Sequence, residues 1–226
     1  MVYQDRRAAG KTLAEAVKRS IRAQPELAPA VVLGLPRGGV PVAFEVAMAS
    51  SLPLDVLVVR KLGAPGEPEL AMGAITSDGT VVLNDDIVRE LRIREETLKT
   101  AMRREQEQAQ MQERTYRQGS PPLVLDGLTV ILVDDGLATG ATMRAAVRAV
   151  RLRARRVIVA VPVGAAHACE ELAEEADLVI CPYVPLSFGA VGQFYQSFGP
   201  TSEQEVCMLL AETQPAQPGA TRPPDR

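Results

Sequence analysis

Short, almost wholly apolar runs recur along the chain, and most are followed by a stretch with apolar residues at helical spacing. Ala30-Val-Val-Leu-Gly-Leu35 lies between proline-containing segments, as a strand covered on both faces does, and 40–50 can continue as a helix. A second strand is predicted over 54–59, and another, bordered by polar turns, over 80–84. Leu128-Thr-Val-Ile-Leu-Val133 carries the strongest strand pattern, with a helix over 142–153 behind it. Strand 156–163, helix 165–175 and strand 178–181 complete the series. A parallel return needs a long crossover, so strands linked by helices imply parallel pairing. The predicted fold class is α/β: a doubly wound, mostly parallel sheet with helices on both faces.

Two stretches break this alternation. Residues 85–118 are polar, rich in Glu, Gln and Arg, and free of Gly and Pro. They are predicted to form one or two exposed helices, a solvated excursion between strands. The end, TQPAQPGATRPPDR over 213–226, is proline-rich without apolar anchors and is expected to be disordered. Residues 1–212 therefore read as a single domain, with no internal repeat.

Composition narrows the classes. At 46% hydrophobic and 23% charged, the chain of 226 residues can bury an ordinary globular core. No apolar run approaches the roughly 18–20 residues of a membrane span, and MVYQDRRAAG lacks the apolar segment of a secretory signal, so a cytoplasmic location is expected. The 25 basic and 28 acidic residues leave a net charge of −3, which argues against a general nucleic-acid coat. Cys169, Cys181 and Cys207 form no CxxC pair and read as free thiols. His167 is the single histidine, placed where a helix starts. Gly10-Lys11-Thr12 has the end of a P-loop, but Asp5 stands where its first glycine is required. Arg144, Arg148, Arg151 and Arg155 recur at helical spacing, and Glu170, Glu171, Glu174, Glu175 and Asp177 follow on the next predicted helix. Both groups read as solvated faces.

The chemistry concentrates in Val130-Ile-Leu-Val-Asp-Asp-Gly-Leu-Ala-Thr-Gly-Ala-Thr-Met143. Here an apolar strand runs into two acids, then a loop of small residues, then a helix. In a doubly wound sheet the carboxyl ends of strands are where ligands bind. A small-residue loop at a helix N-terminus offers backbone N–H groups and the positive end of the helix dipole, so Ala138, Thr139, Gly140, Ala141 and Thr142 suit a phosphate monoester. Adjacent Asp134 and Asp135 repel one another and need hydroxyl donors or cations, which a ribose diol with Mg²⁺ nearby supplies.

This run resembles the phosphoribosyl-pyrophosphate (PRPP) signature of type I phosphoribosyltransferases. The resemblance implies that Asp134 and Asp135 hold the ribose hydroxyls, with Mg²⁺ held there through PRPP or water, and that 138–142 hold the 5-phosphate. Leu35-Pro-Arg-Gly-Gly39 is similar to the family's pyrophosphate loop, in which a cis non-proline peptide is common; it is expected near Pro36, Arg37 or Gly38. Arg37, Gly38 and Gly39, with Arg60 or Lys61 at the end of the second strand, are the implied pyrophosphate ligands. Gly63-Ala-Pro-Gly-Glu-Pro-Glu69 consists of turn residues, is expected to be irregular, and is placed like the flexible loop that closes over the site. The likeness covers about Val31 to Val184. With RKLGAPGEPELAMGAI and VGQFYQSFG it extends to a group of stand-alone phosphoribosyltransferases whose base is unassigned.

The implied activity is Mg²⁺-dependent transfer of ribose 5-phosphate from PRPP to a nitrogen base, in a homodimer. Ala138 stands where the 6-oxopurine branch has Asp, which turns the reading away from hypoxanthine and guanine and leaves Glu67 and Glu69 as candidates for proton transfer. The alternative is a PRPP sensor that binds nucleic acid or a protein partner. Five of the eight aromatic residues fall between Tyr183 and Phe198. With the N-terminus, 183–200 is expected to build a small hood in which Tyr183, Phe188, Phe194 or Tyr195 stacks on the base.

Overall fold

The computed structural model describes residues 1–213, except for the side chains of Pro68 and Glu69. The chain opens with helix α1 (Arg6–Ala23), strand β1 (Ala30–Gly34), helix α2 (Gly39–Ser50) and strand β2 (Leu54–Val56). Strands β3 (Val59–Ala64), β4 (Glu67–Thr76) and β5 (Val81–Leu83) follow, then helices α3 (Asp85–Glu90) and α4 (Glu95–Arg117). The second half alternates β6 (Thr129–Val133), α5 (Ala141–Arg151), β7 (Arg156–Ala160), α6 (Ala166–Glu175) and β8 (Leu178–Ile180), and α7 (Glu203–Thr213) follows.

The central sheet is parallel throughout, in the order β2-β1-β6-β7-β8. Successive side chains of a strand point to opposite faces, and both faces here are covered. Val32, Ile131, Val133, Ile158 and Ala160 pack against Leu13 and Val17 of α1, Val42 and Val46 of α2 and Leu209 of α7. Their neighbours Val31, Leu33, Val130, Leu132, Val157 and Val159 pack against Met143, Val147 and Val150 of α5 and Leu172 of α6. This is the double winding that the near-continuous apolar runs predict.

Three elements differ from the sequence reading. The strand predicted over 54–59 is broken: Leu54–Val56 pairs with β1, and Val59 begins a separate antiparallel sheet, β3-β4-β5. The stretch 63–69 is not irregular. Ala64 pairs with Glu67 across Pro65-Gly66, and Gly66 has φ +82, so Pro and Gly make a type II turn within a hairpin. The excursion at 85–118 is helical, but α4 is solvated on one side only, because Glu105, Ala109 and Tyr116 are buried. α1 was not among the predicted elements, although Asp5, whose carboxylate accepts from Ala8 N–H at 2.8 Å as an N-cap, and the spacing of Ala9, Leu13 and Val17 carried its signal. Thr213 ends α7, and the rest of the expected tail, 214–226, lies outside the described residues. Among the described residues no helix is long and apolar enough to cross a membrane.

Candidate functional site

β1 and β6 are neighbours, yet β1 leads to β2 on one side and β6 to β7 on the other. Their following loops diverge and leave a crevice at the carboxyl ends, the place where open α/β sheets bind ligands. Leu35 N–H donates to Val133 O at 2.9 Å, so the two loops leave the sheet side by side. The Pro36–Arg37 peptide is cis. Glycine is required next: a Cβ on Gly38 would lie 2.2 Å from Asp135 Oδ2, and one on Gly39 would lie 2.6 Å from Val133 O. The Arg-Gly-Gly loop and the acid pair are therefore in direct contact. Gly39 N–H donates to Leu35 O at 2.9 Å, so that glycine serves close packing and its amide is not available to a ligand.

Asp134 Oδ1 accepts from Asp135 N–H at 2.8 Å. Burial, then the neighbouring Asp135 charge, pushes the Asp134 carboxyl up to about 8, against the pull of that amide and of Arg6. Burial also raises Asp135, opposed by the hydrogen bond and charge of Arg6. Arg6 was not singled out in the sequence, and its Nε donates to Asp135 Oδ2 at 2.8 Å. The acid pair is thus short of cations and hydroxyl donors, the condition a ribose diol or a metal ion would relieve. Among the described residues no group of three or more His, Cys, Asp or Glu side chains is arranged to hold a metal ion. A cation here would take one or both aspartates and complete its shell from ligand oxygens and water, which fits Mg²⁺.

Beyond the acids, Gly140 (φ +73) is the N-cap of α5, and no side chain caps this helix. By contrast Asp5 caps α1 and Asn84 caps α3. Thr139, Ala141 and Thr142 are exposed and the first turn of α5 carries no acid. With no side-chain cap, the first N–H groups of this helix are left for a ligand, as an anion site requires.

The flanking cations divide. Arg37 is exposed on its loop. Lys61 lines a cleft of about 990 Å³ together with Pro36, Thr142, the Pro65-Gly66 turn and Arg104. Arg60 lines the same cleft, and its Nε and Nη2 both donate to Glu105 Oε2, at 3.0 and 2.8 Å, which ties its guanidinium to α4. Glu67 is exposed at the hairpin tip, and the side chain of Glu69 lies outside the described residues.

The aromatic residues pack on one another. Tyr3 N–H donates to Phe194 O and Gln196 N–H to Tyr3 O, both at 2.8 Å, so the N-terminus runs along 194–196. Phe194 and Tyr195 are buried, Phe194 against Tyr183 and Phe188, and Tyr195 against Tyr3. Phe194 and Tyr195 therefore have no free face for a base, which corrects their assignment; Tyr183 and Phe188 are half-buried. Tyr195 still reaches the site, donating its hydroxyl to the backbone carbonyl of Asp135. The exposed ring nearest the acids is Phe198, 4.0 Å from ring centre to the Arg6 guanidinium. Nothing in the local sequence marks Arg6, since its partner is 129 positions away.

The arginines of α5 are spent internally. Arg144 and Arg148 pair with Glu175, Arg144 also with Glu171, and Arg151 with Asp177. Arg155 donates to the carbonyls of Glu26 and Ala28. These contacts account for the arginine row and for Glu171, Glu175 and Asp177.

Comparison with known proteins places this geometry. The model of the phosphoribosyl transferase domain matches residues 79–197, a span that holds Asp134 to Thr142 and leaves out Arg37 to Gly39. Two Mycobacterium tuberculosis proteins, from two strains, carry the name "Putative phosphoribosyl transferase" and are 45% identical over 210 residues, 92% of this chain and 46% of theirs. The chain spans about half the length of these curated relatives. The crystal structure of TT1426 from Thermus thermophilus matches with a TM-score of 0.83 at 42% identity, over 94% of this chain and 99% of that one.

Proposed function

The chain belongs to the phosphoribosyl transferase family, and on that premise we propose that it transfers ribose 5-phosphate from PRPP to a nitrogen base with release of pyrophosphate. One observation carries the reading: the acid pair, the Arg-Gly-Gly loop and an uncapped helix N-terminus meet at a single crevice between β1 and β6. Each offers what one part of PRPP needs. Asp134 and Asp135 accept from the ribose 2- and 3-hydroxyls. The N–H groups of 138–142 and the hydroxyls of Thr139 and Thr142 receive the 5-phosphate. Gly38, Arg37 and Lys61 face the pyrophosphate.

In the reaction the C1–O bond to pyrophosphate breaks as the base nitrogen bonds to C1, and a proton carried by that nitrogen leaves to pyrophosphate or water. Negative charge grows on the leaving pyrophosphate, and fixed donors aimed at it lower the barrier. Arg37 on its loop and Lys61 in the cleft would supply them. The acid pair and the phosphate loop hold the sugar between them, which replaces the entropy cost of a random encounter. Mg²⁺ bound with PRPP would neutralise diphosphate charge beside Asp134 and Asp135. The hairpin turn at Pro65-Gly66 lines the same cleft, where its closure would exclude water.

The test is direct. Asp134→Asn with Asp135→Asn should abolish PRPP binding in calorimetry with Mg²⁺ present, and the unaltered chain should release pyrophosphate with one member of a panel of purines, pyrimidines and small nitrogen heterocycles. Unchanged affinity in the double variant would sink the assignment.

A further inference from the structure

The acid pair has a partner that the ribose-site reading does not use. Arg6 begins α1, and Asp135 follows β6. Their side chains are each 14% exposed and meet at 2.8 Å. Arg6 Nη1 donates to Gly199 O at 2.6 Å, and its guanidinium plane lies on the ring of Phe198, 4.0 Å from the centroid. Phe198 in turn packs on Tyr195 at 4.9 Å, and Tyr195 donates to the Asp135 carbonyl. A Cβ on Gly38 would approach Arg6 Nε at 3.3 Å. One guanidinium therefore touches Asp135 and the hood formed by the N-terminus and 183–200, and lies beside the Arg-Gly-Gly loop.

We propose that Arg6 is a positioning residue for PRPP: it fixes Asp135 so that its remaining oxygen accepts from the ribose, and it offsets the Asp135 charge that a polyanionic sugar phosphate would otherwise meet. A bare carboxylate would repel a substrate that carries three phosphoryl groups, and the charge-assisted bond from Arg6 Nε to Asp135 Oδ2 lowers that repulsion while holding the carboxylate's direction. The same contacts tie Asp135 to Phe198 and Gly199, so the hood and the sugar site are set by one side chain. This inference rests on the reading of Asp134 and Asp135 as the ribose site.

Arg7 supplies the control. On the same turn of α1 it pairs with Glu45 at 2.5 Å and stacks on Phe44 at 4.7 Å, the same two kinds of contact in a place away from the crevice. The full chain is compared as Arg6→Gln, Arg6→Lys, Arg7→Gln and Asp135→Asn, by calorimetry with PRPP and Mg²⁺ and by thermal melting. Arg6→Gln should weaken PRPP binding on the order of tenfold or more, the usual consequence of losing a charge-assisted hydrogen bond. Arg6→Lys should recover part of that loss, because it keeps the charge without the fork. Arg7→Gln should lower the melting temperature and leave PRPP affinity alone. In turnover assays the loss in Arg6→Gln should fall on KM for PRPP more than on kcat. Equal affinity in Arg6→Gln and the unaltered chain, with Asp135→Asn still defective, would overturn the role of Arg6 alone. An equal loss in Arg7→Gln would reduce it to general stability. Failure of the unaltered chain to bind PRPP would overturn the site itself.

Discussion

At the scale of single residues the acid pair stores an electrostatic cost that can be measured without any ligand. Asp134 has a folded pKa of about 8 against an ordinary 3.8. Between those values the folded protein holds a proton that the unfolded chain has lost. The contribution is therefore fully present below about 4, falls as pH rises, and is gone above about 8. Asp134→Asn removes this carboxyl's titration and leaves that of Asp135. Its denaturation midpoint, measured by urea at pH 5 and pH 8.5, should rise relative to the unaltered chain as pH increases. A difference independent of pH would mean that Asp134 is not held protonated. The acids and the Gly/Thr loop were legible in the sequence because they are contiguous, and their chemistry is local to a strand end and a helix start. Arg6 was not, because only the folded chain brings it to Asp135; the need of two adjacent carboxylates for a cation was the available signal, and Mg²⁺ alone had been set against it.

Among elements, the strands and crossovers of the parallel sheet followed from apolar runs buried on both faces. The β3–β5 sheet did not. Its hairpin turn, Pro65-Gly66, gives the same composition as an open loop, and only pairing across it distinguishes the two. α4 was legible as a helix, but the long-range pairs that dock it were not. Arg117 donates to Asp55 Oδ1 at 2.9 Å, with the two side chains 10% and 9% exposed, and to the carbonyl of Val56. Asp55 also accepts from Val56 N–H and Leu123 N–H. Arg117 thus pins the end of α4 to the edge strand β2. Arg117→Met leaves a buried carboxylate with its strongest donor gone, which should cost about 3–5 kcal/mol in urea unfolding. A midpoint within error of the unaltered chain would show that water or a rearranged donor replaces the arginine. Arg60 and Glu105 make the second tie between α4 and the hairpin. Burial alone would raise the Glu105 carboxyl, but hydrogen bonds from Arg60 and Arg104 hold it below its ordinary value.

Across the whole molecule, the crevice is assembled from parts that lie far apart in sequence: the first turn of α1, the loops after β1 and β6, and 183–200. The interlock is physical. Tyr3 donates its hydroxyl to Pro162 O at 2.9 Å and pairs its backbone with 194–196, and Tyr195 returns to Asp135. A ligand that bridges these parts exists only on the folded chain, so its binding energy adds to global stability. With PRPP and Mg²⁺ at a hundred times Kd, the added stability is about 2.7 kcal/mol, or about 5–10 °C in the melting temperature of a domain this size. Asp134→Asn with Asp135→Asn should melt without that shift. Tripolyphosphate separates charge from sugar. It can occupy the helix N-terminus of α5 and reach Arg37 and Lys61, but it has no diol for the acid pair. A shift from tripolyphosphate equal to that from PRPP would mean that the crevice reads charge alone. A much smaller one would show that the ribose, held by the two aspartates, joins the loops on either side of the sheet.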